Sequence, residues 1–231
     1  MRGQRAVAVG LDLRVGVLVE GDAGDFLAAY NAGAIVVLKR GKAGAYLAYG
    51  MTAGEVGVVG SAGDAAGAYA SGGRVLVYGD AGARAGWRLA GATLVVKGDA
   101  GEGAGAGMTG GAMALLGAAR GTVGEGMAGG VIYARRDARV DTSCARARDL
   151  DAAAAAALKE LAAAVKVTAV DPKAFVQVVP VGRAAPAPGQ AAEGGGPAGG
   201  ARVRVVRPSA SPDEAKAFVD SVVARVAEEE D

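Results

Sequence analysis

The chain has 231 residues, 25 Lys and Arg against 24 Asp and Glu, a net charge of +1, no histidine and a single cysteine, Cys144. That balance carries no electrostatic footprint for nucleic acid or an anionic membrane surface, and the missing imidazoles exclude Ser–His and Cys–His nucleophile pairs and His-ligated zinc, iron or haem. One thiol excludes an intrachain disulfide and a self-contained cysteine-ligated iron–sulfur cluster. The opening MRGQRAVAVGLDLRVG lacks the apolar run of a signal peptide, and no stretch suits a bilayer span, so the chain reads as cytoplasmic.

Glycine is the dominant residue of the first half, with 33 of the 40 glycines placed before Arg136. They fall in register. Gly41, Gly60, Gly79, Gly98 and Gly117 follow one another at intervals of 19, and Gly72, Gly91, Gly110 and Gly129 form a second column at the same step. Gly21 lies 20 before Gly41, which implies one inserted residue near Lys39–Arg40. Each repeat ends in a short apolar run: 15–20, 34–39, 55–60, 74–79, 93–98, 112–117 and 131–136. Within those runs the positions two and four before the closing column are apolar, as in Val75/Val77 and Leu94/Val96, while the position between the last of them and the closing residue varies. A period of two with one uniformly apolar face is a half-buried strand. Strands separated by too few residues for a crossover helix predict an all-β fold, a right-handed parallel β-helix with 19-residue coils and about seven turns. Gly60, Gly72, Gly79, Gly91, Gly98, Gly110, Gly117 and Gly129 are expected at its corners, accepting positive φ and letting coils approach.

The solenoid is expected over 1–148, its last residues, 137–148, a polar exit. A capping helix and tail follow over 149–182. DLDAAAAAALKELAAAV (149–165) reads as a helix covering the open end of the last coil; KAFVQVVPVG (173–182) reads as a strand or an extended tail. Residues 183–200 are a Pro/Gly/Ala linker. Beyond it come a strand at 201–207 and a helix at 211–231, with a capping box at Ser211, Pro212 and Glu214 and an apolar stripe of Phe218, Val222 and Val226. About 30 residues cannot build their own core, so this terminal segment is expected to dock, on a partner rather than on the rod.

Candidate chemistry is thin. Gly105-Gly107-Gly110 and Gly124-Gly126-Gly129 match a dinucleotide fingerprint, but they lie 19 residues apart with no βαβ unit around them, and belong to the repeat. Asp22, Asp25, Asp64, Asp80, Asp99, Glu102 and Glu125 read as solvated corner carboxylates. Cys144 reads as a quiet thiol, having no partner base. Arg135, Arg136, Arg139, Arg146 and Arg148 read as a solvated face or a contact between subunits, and Trp87 as packing. No catalytic residue, metal site or bound cofactor is expected.

The phrase G-D-A-G-x-x-x-G-x-x-M-x-G-G-x-hydrophobic at 98–113, echoed at 60–75, 79–94 and 117–132, resembles the GXGXG domain, over about residues 6–180. That family comprises the C-terminal β-helix of the glutamate synthase large subunit, in some organisms a separate polypeptide, and a similar β-helix forms one subunit, the C subunit, of formylmethanofuran dehydrogenase. The order of a helix, LKELAAAV, and then Phe175, Val178 and Pro180 looks more like the glutamate synthase tail. The resemblance implies a non-catalytic structural subunit of a split glutamate synthase, with amidotransferase and FMN/iron–sulfur synthase subunits as partners. The alternatives are the C subunit of a formylmethanofuran dehydrogenase or formyltransferase/hydrolase complex, and a stand-alone solenoid binding module. A homo-oligomer is open on either reading.

Overall fold

The apolar runs become strands, and the 19-residue step stacks them. The computed structural model describes residues 8–11, 15–181 and 202–206. Its strands are β1 (Gly16–Glu20), β2 (Ala32–Arg40), β3 (Ala53–Val58), β4 (Arg74–Val77), β5 (Ala90–Val96), β6 (Thr109–Leu115), β7 (Thr122–Val123), β8 (Gly129–Arg135), β9 (Arg139–Val140), β10 (Ala145–Arg148), β11 (Phe175–Pro180) and β12 (Arg202–Val206), with one helix, α1 (Ala152–Ala164), between β10 and β11. β1 to β6 and β8 pair in parallel, one per coil, giving a parallel β-solenoid of about seven turns.

The register follows the alternation. Val17, Val36, Val56, Val75, Leu94, Met113 and Ile132 are paired in one continuous inward ladder, none more than 4% exposed. Val19 pairs with Leu38 whereas Glu20 pairs with Arg40, so Lys39 is the inserted residue, bulged out within β2 where the broken glycine interval placed it. Opposite the strands, Ala23, Ala43, Ala62, Ala81, Ala100 and Ala119 bridge coil to coil in a second parallel column. Asn31 is the one buried polar side chain among the described residues; its Nδ2 donates to the Ala34 carbonyl at 2.8 Å and its Oδ1 accepts the Ala34 N–H at 2.9 Å.

Both ends of the sheet are closed by antiparallel strands. β11 pairs with β8 and with β10, which puts the 173–182 segment in the sheet and draws part of the 137–148 exit in with it. At the other end β12 pairs with β1, making the ladder ten strands wide. The expectation that the whole terminal segment stands apart from the rod is therefore corrected for its strand. The unpaired N–H and C=O groups of an open β1 edge are the physical cause. The linker at 183–200 and the helix at 211–231 lie outside the described residues.

α1 is also repositioned. Its N-cap is Asp151, whose carboxylate accepts the Ala154 N–H at 2.8 Å. Instead of covering the end of the last coil, it lies along the outward face of the strands, where Ala154, Leu158 and Val165 pack against Leu76, Val95, Ala114 and Tyr133. The Tyr78 hydroxyl donates to the Ala164 carbonyl at 3.0 Å and pins the helix C-terminus. The end needed no lid, because β11 already pairs it; the apolar outward column needed one. No helix among the described residues is long and apolar enough to cross a membrane.

Candidate interaction surface

The third side of each coil is a chain of tight turns in which every second residue is left-handed. In one coil these are Tyr46 (φ 60°), Ala48 (φ 54°) and Gly50 (φ 62°); in a later one Gly103 (φ 73°), Gly105 (φ 71°) and Gly107 (φ 64°). The alternation aims successive amides in opposite directions along the rod. Tyr46 and Gly50 donate forward to Asp64 and Ala68, whereas Ala48 donates back to Leu27. Each turn is thereby hydrogen-bonded to both neighbouring coils.

The middle left-handed column faces the core and is small throughout: Ala28, Ala48, Gly67, Gly86, Gly105 and Gly124. The two outer columns differ between the halves of the rod. The later coils use Gly103, Gly107 and Gly126, but the first four carry Phe26, Tyr30, Tyr46, Tyr69, Arg84 and Arg88, with φ between 53° and 61°, beside the small Ala65 and Gly50. A bulky L-residue in this conformation costs roughly 1–2 kcal/mol relative to its preferred regions.

Those residues form a band. Phe26 stacks on Tyr46 with centroids 4.9 Å apart, and Tyr49 meets Phe26, Tyr30 and Tyr46 edge-on. Tyr49 then contacts Tyr69 at 5.4 Å, and Tyr69 meets Trp87 at 5.0 Å. The Arg84 guanidinium sits 5.6 Å from the Trp87 ring centre, and that of Arg88 5.7 Å from Tyr69. Neither arginine has an ion-pair partner among the described residues. Burial pushes the Tyr49 phenol up, with neighbouring phenols of Tyr30, Tyr69 and Tyr46 adding to the effect. Six of the ten aromatic residues of the chain lie in this one band. Trp87 packs, as expected, but as part of a surface that reading single residues missed. Its signal in the sequence is columnar: aromatics and arginines occupy, in the first coils, the repeat positions that later coils fill with glycine.

Of the two constraints expected at the eight corner glycines, close approach of coils holds and positive φ is corrected. None has a positive φ. At each, a Cβ would fall within 3.0 Å of a backbone atom of the preceding coil, so it is close approach that demands glycine. Left-handed backbone comes one residue later, at Gly73 (φ 82°), Gly111 (φ 81°) and Gly130 (φ 81°).

The corner carboxylates form a ladder. The Oδ1 atoms of Asp22, Asp25, Asp64, Asp80 and Asp99 accept the N–H groups of Lys42, Ala45, Ala83, Asp99 and Ala118 at 2.8–2.9 Å. They tie successive coils together, while Glu102 and Glu125 are exposed. Both fingerprint-like glycine triplets run directly into β6 and β8 and precede no helix. Of the basic run, Arg136 is a clamp: its guanidinium bonds Asp149 at 2.7 Å and the Lys173 carbonyl at 3.0 Å. Arg135 lies 3.6 Å from Asp137, and Arg146 and Arg148 stand exposed on the edge strand β10. Charged edge residues discourage further strand addition. Among the described residues no three His, Cys, Asp or Glu side chains converge to hold a metal ion.

Cys144 closes the exit loop. Its Sγ accepts the Gly126 N–H at 3.0 Å and lies 3.2 Å from Asp141 Oδ2. Asp141 Oδ1 accepts both the Ser143 hydroxyl, at 2.6 Å, and the Ser143 N–H, at 3.0 Å, and these bonds hold the carboxyl below its ordinary value of 3.8. The contribution of a lowered carboxyl is complete above the ordinary value and is lost as pH falls through the lower folded one. Asp141→Asn at neutral pH should therefore loosen the loop and speed disulfide-reagent labelling of Cys144 roughly fivefold, the equivalent of one hydrogen bond. An unchanged rate would show that the carboxylate does not hold the turn.

These features define a class: a parallel β-solenoid whose repeated polar groups serve coil-to-coil bonding, and whose turn side carries an aromatic–arginine band. The chain belongs to the GXGXG motif family, whose model matches residues 3–170. The alternating glycines at 103, 105 and 107 are a literal instance of that spelling, and each is left-handed. No curated protein matches the chain.

Proposed function

We propose that this chain is a glutamate synthase-related β-solenoid acting as a non-catalytic subunit of a split glutamate synthase. It would hold amidotransferase and FMN/iron–sulfur synthase subunits that carry out glutamine-dependent glutamate formation. Membership of the GXGXG motif family over residues 3–170 supports the relation. The observation that carries the structural role is the carboxylate ladder. Asp22, Asp25, Asp64, Asp80 and Asp99, the recurrent polar side chains of the repeat, are engaged with backbone amides of the next coil. The aromatic–arginine band is the face we assign to a partner, since Arg84 and Arg88 form no ion pair among the described residues and its rings supply rigid apolar anchors.

Purification of the tagged chain from its native cell, followed by mass spectrometry, tests this reading. Co-recovery of a glutaminase-type amidotransferase and an FMN-dependent synthase is expected, and the chain alone should show neither glutaminase nor glutamate-forming activity. Molybdopterin-enzyme and formyltransferase subunits in their place would assign the chain to a formylmethanofuran-type complex. A monomer that binds a small ligand unaided would make it a free-standing binding module.

A further inference from the structure

The aromatic–arginine band changes character along the rod. In the first three coils it is apolar: Phe26, Tyr46 and Tyr69 are half-buried around the buried Tyr49, and Tyr30 is 53% exposed. In the fourth coil it is cationic. The Arg84 and Arg88 guanidiniums lie 5.6 and 5.9 Å from the ring centre of Trp87, and neither forms an ion pair among the described residues. Two like charges beside one indole repel each other unless an anion sits with them. Beyond them the turns drop to glycine. Apart from its own neighbours in the chain, a Cβ at Gly103 or Gly107 would meet only side-chain atoms of Arg84 or Arg88 within 4 Å.

These two arginines are held against local preference. The turn asks only for left-handed backbone, which Gly103 and Gly107 supply one coil later without strain. Arg84 (φ 55°) and Arg88 (φ 53°) are strained in the same positions. Ring stacking offsets that strain for Phe26, Tyr46 and Tyr69. The exposed Arg84 has only a cation–π contact, which is weak in water. Backbone outliers of this kind cluster where a chain meets its ligands. Charge then selects the occupant. Two guanidiniums are too few to hold a nucleic-acid backbone, which engages several phosphates, and a neutral sugar would leave them unpaired.

We infer that the band takes an acidic–apolar segment of a partner protein, laid along the rod with apolar side chains on the rings of the first three coils and carboxylates at Arg84 and Arg88. The inference rests on the reading that this chain holds other subunits, and names the chemistry by which one of them is held. Three coil steps span about 14 Å, the reach of about four extended residues or about ten of helix. The rings supply rigid apolar contact; the guanidiniums fix direction and register, because a carboxylate can pair with them only at the fourth coil.

Selection of a random-dodecapeptide display library on the purified full-length chain tests it. The enriched peptides should combine Asp or Glu with aromatic or branched aliphatic residues. Trp87 is the only tryptophan of the chain, so a selected peptide lacking Trp should shift its emission, and that shift gives Kd. Exchanging the peptide's carboxylates for amides should raise Kd at least about tenfold, as should Arg84→Gly/Arg88→Gly in the chain. Glycine accepts this backbone, so the variant should melt no lower than wild type; the amide exchange leaves the protein untouched and decides the matter whether or not the variant folds. Enriched peptides without carboxylates, or a Kd indifferent to the amide exchange, would overturn the inference. So would self-association of the chain through this face, which assigns it to a second copy. Purified from the native cell, tagged Arg84→Gly/Arg88→Gly chain should lose the partners that wild type recovers. If the folded variant keeps them, this inference fails and the split-complex reading stands; if wild type recovers other partners while the peptide results hold, that reading fails and the acidic–apolar docking surface stands.

Discussion

Gly105→Val should lower the stability of the rod by about 3 kcal/mol or more, the largest single-residue loss expected on the turn side. Two costs add. The position has φ +71°, where a β-branched residue is strained by roughly 1–2 kcal/mol. Its new side chain would also be driven into Ile132 of the inward ladder, where overpacking costs about 1–3 kcal/mol. Gly103→Ala isolates the first cost. Gly103 has φ +73°, but the nearest atom to its Cβ would be the flexible Arg84 Cγ at 3.4 Å. That variant should lose only about 1 kcal/mol. Denaturant unfolding of the two variants would separate the costs, and a Gly105→Val chain as stable as wild type would refute the left-handed assignment.

Gly110→Val should cost about 2 kcal/mol or more through a different mechanism. The backbone there is not left-handed, but a Cβ would press on the Ala90 carbonyl oxygen of the preceding coil. A carbonyl engaged in a sheet has nowhere to retreat, so the coils must part. The comparison is Gly57→Ala in β3, where an added Cβ meets nothing within 4 Å and φ is ordinary. That change should be neutral or stabilising by about 0.5 kcal/mol, because it restricts the unfolded chain. If thermal unfolding ranked Gly57→Ala below Gly110→Val, close approach of coils would not be what holds glycine at the corners.

These two mechanisms mark the limit of reading glycine from its spacing. Gly72, Gly91, Gly110 and Gly129 stand out as a column, but a column says only that a position is special. Whether a glycine is needed for φ or for space depends on where the next coil lies, a distance set by residues 19 positions away. In three of the four coils the left-handed residue is the following one, Gly73, Gly111 or Gly130. Phe26, Tyr46 and Tyr69 are harder still to anticipate. Local preference keeps bulky residues out of left-handed backbone; here the opposed amides of the turns, bonded to coils on both sides, impose it. The band they form was equally hidden, since Tyr49, Tyr69 and Trp87 meet only through stacking.

What the amino-acid sequence determined by itself was everything governed by period. Alternating apolar residues made strands, the 19-residue step made their stacking parallel, and the single 20-residue interval located the bulge at Lys39. The strands and their stacking repeat once per coil, so each coil carries the information for the next, and the bulge is local to the one interval that is longer. The tertiary structure decided what does not repeat. It laid α1 along the flank because the outward column of Leu76, Val95, Ala114 and Tyr133 is apolar. It brought β12 across the chain to β1 and β11 back to β8, because open sheet edges leave hydrogen-bonding groups unpaired. Those contacts join residues up to 190 positions apart in the pairing of Gly16 with Val206, and no local pattern encodes a meeting at that range.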